Sequence, residues 1–157
     1  FREDLTTMKQ IMATMTKRTQ ESAQNGDKYS PAHLILIDDL MAGNSSASGY
    51  RYNEDVLKLF SAGRHAGAIV ILMTQAYKQL SRPARLQATH LGLWQVQETQ
   101  KKEIFEELAG RQGMTMEQLN SAFQTATARP HGFLFISYNA PPGEKLWSGF
   151  SKKLVNK

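Results

Sequence analysis

His33-Leu34-Ile35-Leu36-Ile37-Asp38-Asp39-Leu40 is the stretch on which the fold turns. The four apolar residues Leu34 to Ile37 spell a strand buried on both faces, the kind found in parallel sheets. Two carboxylates follow where that strand ends. In open α/β sheets the chemistry sits just outside the carboxyl ends of the strands. A pair of carboxylates there suits a hydrated Mg²⁺ and a water beside it, because Mg²⁺ takes oxygen ligands and a general base must reach the water. The same residues also serve as two solvated turn residues after an ordinary buried strand, so the flanking sequence decides.

On the N-terminal side, Phe1, Leu5, Met8, Met12 and Met15 recur at helical spacing. They predict one apolar stripe on a helix ending near Asn25-Gly26. Asp27 to Ser30 is a polar link before Pro31. On the C-terminal side, Met41 to Tyr52 is a small, polar, glycine-flanked loop. Asn53 is a good N-cap for a helix that buries Val56, Leu57, Leu59 and Phe60 and ends near Gly67. Ala68 to Met73 is a second buried strand, ending at Thr74-Gln75.

Ala76 to His90 is a basic connector around Pro83 with one short helix, and Leu91 to Val96 is a third strand. Thr99 caps a helix that buries Ile104, Phe105 and Leu108 and stops at Gly110. Thr115 and Gln118 form a capping box for a helix burying Met116, Leu119, Phe123 and Ala126. Gly132 to Tyr138 is a strand, Pro141-Pro142-Gly143 a turn, and Lys145 to Phe150 a returning strand. A basic tail, Ser151 to Lys157, follows. Strands alternating with helices predict an α/β fold with a mostly parallel sheet sandwiched by helices and a C-terminal β-hairpin.

The 157 residues suffice for one domain with a core. A composition of 41% apolar and 21% charged residues is that of a globular protein. No apolar run approaches the ~20 residues that cross a bilayer. The chain has no cysteine, which excludes a disulfide framework, thiolate chemistry and thiolate zinc sites, and fits a reducing compartment. His33, His65, His90 and His131 are scattered without metal-ligand spacing. The formal charge of +5 is compatible with a polyanionic partner.

Three places carry candidate chemistry. Asp38 would hold Mg²⁺ and Asp39 would orient or deprotonate an attacking water, the arrangement of a Walker B strand. Thr74-Gln75 ends the next strand, where a neutral amide can hold that water without adding charge; a polar residue leaving a strand is the plainer reading. Arg64, in Gly63-Arg64-His65-Ala66-Gly67, could reach a neighbouring subunit's site as an arginine finger, or interact with the carbonyls ending its own helix.

Leu59 to Gln75 resembles the FtsK/HerA superfamily, in which R-x-x-G precedes a strand ending in Thr-Gln. The Gly63-Arg64-His65 form, the Asp38-Asp39 ending and the closing Gly132-Phe133-Leu134-Phe135 … Gly149-Phe150 hairpin are most similar to one branch, the genome-packaging ATPases of large eukaryotic DNA viruses and virophages. The resemblance spans about Pro31 to Phe150. It implies a RecA-like P-loop NTPase of the ASCE type, with ATP and Mg²⁺ as cofactors, that assembles as a homo-oligomeric ring at a capsid vertex and drives double-stranded DNA into the capsid. Its place would be intracellular, in the host cytoplasm, a virus factory or the virion.

On matching positions, Asp38 becomes the Mg²⁺ ligand, Asp39 the catalytic carboxylate, Gln75 the sensor, Thr74 a cofactor-binding residue and Arg64 a candidate trans-acting finger. Arg51, Lys78, Arg82 and Arg85 lie in the loops after the two site strands, where they could neutralise DNA phosphates without reading sequence. Ordinary solvated loop positions account for each of these cations equally well.

A Walker A loop needs Gly-x₄-Gly-Lys-[Ser/Thr], and these residues hold none: Gly43 and Gly49 have the wrong followers. The P-loop strand of the resembling family would lie beside the second strand, so the sheet is expected to be incomplete. With Phe1 in first place, residues 1–157 are expected to be the C-terminal part of one ATPase domain and, alone, to turn over little ATP. They comprise a leading helix (1–26), a core from the Walker B strand to the third strand (31–97), and helices, hairpin and tail (98–157). A translocase of the conjugation or chromosome-transfer type is the nearest alternative, though bacterial translocases usually carry Glu at the position of Asp39. A P-loop-less DNA-binding or ring-completing protein is the third.

Overall fold

The computed structural model describes residues 5–27, 33–38 and 56–154. The chain divides into two compact units, Phe1–Gln87 and Ala88–Lys157. The sequence grouped the third strand with the first two; the division falls just before that strand.

In the first unit, helix α1 (Leu5–Gln24) runs to Gly26, whose positive φ ends it. Strand β1 (His33–Ile37) pairs in parallel with β2 (Ala68–Leu72), His33 opposite Ala68 and Ile37 opposite Leu72. Helix α2 covers described residues 56–62 and tightens into a 3₁₀ turn, Gly63–Ala66. Gly67 takes the left-handed conformation that closes a helix cheaply only when no Cβ is present. A second 3₁₀ turn (Tyr77–Gln79) and helix α3 (Arg82–Gln87) complete the unit.

The core of this unit lies on one side of the strand pair. Ile37, Val56, Leu59 and Ala84 are buried together, with Met12, Ile35, Leu57, Phe60, Val70, Leu72 and Leu80 packed around them. Among the described residues nothing is packed on the opposite side. Leu34 is 65% exposed, and Leu36, Ile69 and Ile71 are exposed beside it. The apolar run therefore gives a strand in the expected place, but among the described residues it is covered on one face rather than two. Period-two geometry sends alternate residues to opposite faces, and the described helices meet the face of Ile35 and Ile37.

The second unit corrects the expectation of a mostly parallel sheet. Strands β3 (His90–Leu93), β4 (Leu134–Ser137), β5 (Leu146–Ser148) and β6 (Lys152–Lys153) form an antiparallel sheet in that order. The third strand thus pairs with the C-terminal hairpin, Leu91 opposite Ile136 and Leu93 opposite Leu134. A short apolar run fixes neither direction nor partner, and a connection containing two helices permits either. The fold is mixed α/β, with a two-stranded parallel sheet and a four-stranded antiparallel one. The basic tail contributes β6, which pairs with β5.

Helix α4 (Glu98–Gln112) starts just before the expected Thr99 cap and passes Gly110 to end at Gly113. Helix α5 (Met116–Thr127) carries the expected capping box: the Gln118 amide donates to Thr115 Oγ1 at 3.1 Å and the Thr115 amide to Gln118 Oε1 at 3.0 Å. Helix α5 packs on β4 and β5, and α4 on α5. Phe105 meets Phe123 edge-on at 5.8 Å. Ile104, Leu108, Leu119, Leu134, Ile136 and Leu146 are fully buried. At Gly132 a Cβ would collide with the Ala126 carbonyl, so the chain can leave α5 closely only through glycine.

Candidate functional site

Parallel pairing sets the geometry of the first candidate site. Because Ile37 is opposite Leu72, Asp38 and Met73 leave their strands side by side. The Met73 amide donates to the Ile37 carbonyl at 2.8 Å and extends the pairing one step further. Asp38 and Thr74-Gln75 therefore emerge at the same carboxyl end. Asp38 and Gln75 are exposed and Thr74 is half-buried. Thr74 Oγ1 accepts from the Ala76 amide at 3.2 Å and approaches the Ala76 carbonyl at 3.3 Å, a side-chain turn that sets the direction in which the chain leaves β2.

Asp38 offers a carboxylate where a hydrated cation could approach from solvent. Mg²⁺ fits such a place, since it keeps several waters and takes one or two carboxylates together with substrate phosphates. Among the described residues no cluster of three His, Cys, Asp or Glu side chains forms a self-sufficient metal cage. Asp39 and Arg51 lie outside the described residues.

Arg64 sits at the other end of β2. Its turn is braced from two sides: Thr19 Oγ1 of α1 donates to the Ala66 carbonyl at 3.1 Å, and the His33 amide donates to the Gly67 carbonyl at 2.9 Å. Arg64 is exposed and its Nε approaches His65 Nε2 at 3.4 Å. From Gly67 to Thr74 an extended chain covers roughly 23 Å at ~3.3 Å per residue. Asp38 and Gln75 are thus brought together, whereas Arg64 is held away from both.

The basic connector residues differ in setting. Lys78 and Arg82 are exposed. Arg85 is buried: its guanidinium donates to the Leu80 carbonyl and lies 4.9 Å from the centre of the Tyr77 ring. That placement makes Arg85 a brace for the turn between β2 and α3.

A hollow of about 300 Å³ in the second unit, lined by Gln95, Glu98, Lys101, Phe123 and Thr127 among others, contains none of the sequence-predicted site residues. The sequence reading passed over one chemically distinctive surface, the ring-bearing face of the antiparallel sheet. Its signal was the two-residue spacing of Phe133 and Phe135, with Trp94 two residues after Gly92.

No protein-family model, curated protein or solved structure matches the chain.

Proposed function

We propose that the chain supplies the Asp38–Gln75 portion of an ATP-driven motor that translocates double-stranded DNA, of the type that packages a viral genome into a capsid. One observation supports this reading: the in-register parallel pairing that sets Asp38 beside Met73, so that Asp38 and Thr74-Gln75 leave the sheet at the same end. In the proposed RecA-like core, Asp38 holds Mg²⁺, Asp39 prepares the attacking water and Gln75 orients it. Bound Mg²⁺ neutralises charge on the transferring phosphoryl group. The distance between Arg64 and Asp38 fits an arginine that serves the next subunit of a ring.

The residues given contain no phosphate-cradling Gly-x₄-Gly-Lys-[Ser/Thr] loop, so the proposal requires that loop to come from elsewhere in the working assembly. A second reading, carried by the exposed cations Lys78 and Arg82 after β2, is a DNA-binding or ring-completing protein without ATPase activity.

Steady-state ATP hydrolysis by the complete assembly separates the two. Asp39→Asn is expected to lower kcat roughly 10²–10⁴-fold while nucleotide binding persists. Unchanged turnover, or none in the parent assembly, would refute the motor reading. Arg64→Ala is expected to lower kcat by roughly 10³-fold or more. Mixing Arg64→Ala with Asp39→Asn subunits should then restore part of the activity, because some interfaces would pair an intact carboxylate with an intact arginine.

A further inference from the structure

Alternation along the antiparallel sheet sorts its side chains by chemistry. Leu93, Leu134, Ile136, Leu146 and Ser148 are buried on the side that α5 packs against. The other side carries His90, Trp94, Phe133, Phe135 and Trp147, and Phe150 folds across it just after β5. Trp94 stacks on Phe133 at 4.6 Å and 23°. His90 stacks on Phe135 at 5.3 Å and 14°. Phe150 meets both phenylalanines edge-on, at 5.0 and 5.2 Å. The rings thus form one connected platform.

Neighbouring groups hold the platform in shape. The indole N–H of Trp147 donates to the Glu144 carbonyl at 2.8 Å. Gly92 lies under the Trp94 indole, where an added Cβ would come within 3.1 Å of the ring. Rings fixed before a ligand arrives lose less freedom on binding. Even so, Trp94 remains 51% exposed and Phe150 76% exposed. Large aromatic side chains left in water as a contiguous group mark a binding surface.

Charge says which partner fits. Between Ala128 and Leu154 stand Arg129, Lys145, Lys152 and Lys153 against one acid, Glu144. Glu144 pairs with Lys153 at 2.7 Å. Lys153 is directly opposite Trp147 in the sheet, and Lys145, two residues before Trp147, falls on the same face, whereas Lys152 is opposite Ser148 and falls on the other. The acids of this unit concentrate instead on the helices, at Glu98, Glu103, Glu106, Glu107 and Glu117. Ring faces bordered by cations match a polymer with flat bases and a phosphate backbone.

We infer that this aromatic face binds single-stranded DNA, with unpaired bases stacked on Trp94 and Phe150 and phosphates near Lys145 and Lys153. A duplex keeps its bases stacked on one another and presents no free ring faces, so the surface selects an unpaired strand. Thymine, with its ring methyl, suits so apolar a platform better than uracil. The inference stands on the second unit alone and holds whether or not the chain belongs to an ATPase.

The test is fluorescence anisotropy of labelled oligo-dT with the full 157-residue chain, at 50 and 200 mM salt. Oligo-dT is expected to bind at least tenfold more tightly than a duplex or an oligo-U of equal length. Phe150→Ala and Trp94→Ala should each weaken binding roughly tenfold, the usual loss of one base stack. Lys153→Ala should flatten the dependence of log K on log salt by about 0.7 per phosphate contact removed. In a Trp147→Phe background, oligo-dT should quench the remaining Trp94 emission. Unaltered oligo-dT binding by folded Phe150→Ala and Trp94→Ala chains would overturn the inference, as would a preference for duplex. Equal or tighter binding of oligo-U would overturn the assignment to DNA. Self-association abolished by Phe150→Ala, without oligo-dT binding, would assign the face to a second copy instead.

Discussion

In the parallel pair, helices meet Ile35, Ile37, Val70 and Leu72 and leave Leu34, Leu36, Ile69 and Ile71 in water. In the antiparallel sheet, Leu134, Ile136 and Leu146 are buried while Trp94 and Phe150 stand exposed. Among the described residues each sheet is therefore covered on one side, and the bare sides differ in what they can bind. Aliphatic groups offer shape and apolar area only, and gain by being buried. Aromatic groups add a ring face with directional electrostatics, which flat bases and cations can use while the rim stays wet. An exposed apolar residue says little alone; its chemistry and its charged neighbours say what would cover it.

The largest effects should come from beneath the clad sides. Phe105→Ala is expected to cost about 3–5 kcal/mol and Leu59→Ala about 2–5 kcal/mol, read from urea midpoints at constant slope. Similar losses would show that both units rest on their covered faces equally. Next is Gly132→Val, expected to cost about 1–3 kcal/mol through forced movement at the end of α5; a neutral result would mean that the turn relaxes freely. Thr115→Ala, which removes the capping box, should cost about 1 kcal/mol.

The smallest stability changes, under about 1 kcal/mol, are expected from Leu36→Ala and Phe150→Ala on the bare sides. These two sharpen the contrast, because only Phe150→Ala should weaken oligo-dT binding. A Leu36→Ala loss as large as that of Leu59→Ala would show that the aliphatic side is covered in solution.

Much of this was legible from local pattern. The strand at Leu34–Ile37, the strand starting at Ala68, the capping box at Thr115 and the helix burying Ile104, Phe105 and Leu108 all follow from spacing and residue type. That Asp38 and Gln75 leave at carboxyl ends of strands was legible; that the two strands are direct neighbours comes from the structure. The pairing of β3 was not legible, because Leu91–Leu93 is equally apolar in either direction and its partner lies about forty residues away in the chain. Arg85 was misleading in another way. Arginine usually stays at the surface, and nothing local signals that Leu80 and Tyr77 will capture it. The aromatic face was written in the sequence at Phe133 and Phe135, but only the register with β3 and β5 shows that Trp94, Trp147 and Phe150 share it.

The β1–β2 ladder has one further consequence. Among the described residues each of its strands is paired along one side only, so backbone amides and carbonyls face outward beside bare leucine and isoleucine. Such an edge is a template for strand addition from other molecules, and folded proteins commonly guard it with charge. At high concentration this ladder is where association between chains is expected to begin. A lysine placed by Ile69→Lys should act as a gatekeeper, raising the concentration at which light scattering first appears while leaving the unfolding midpoint nearly unchanged.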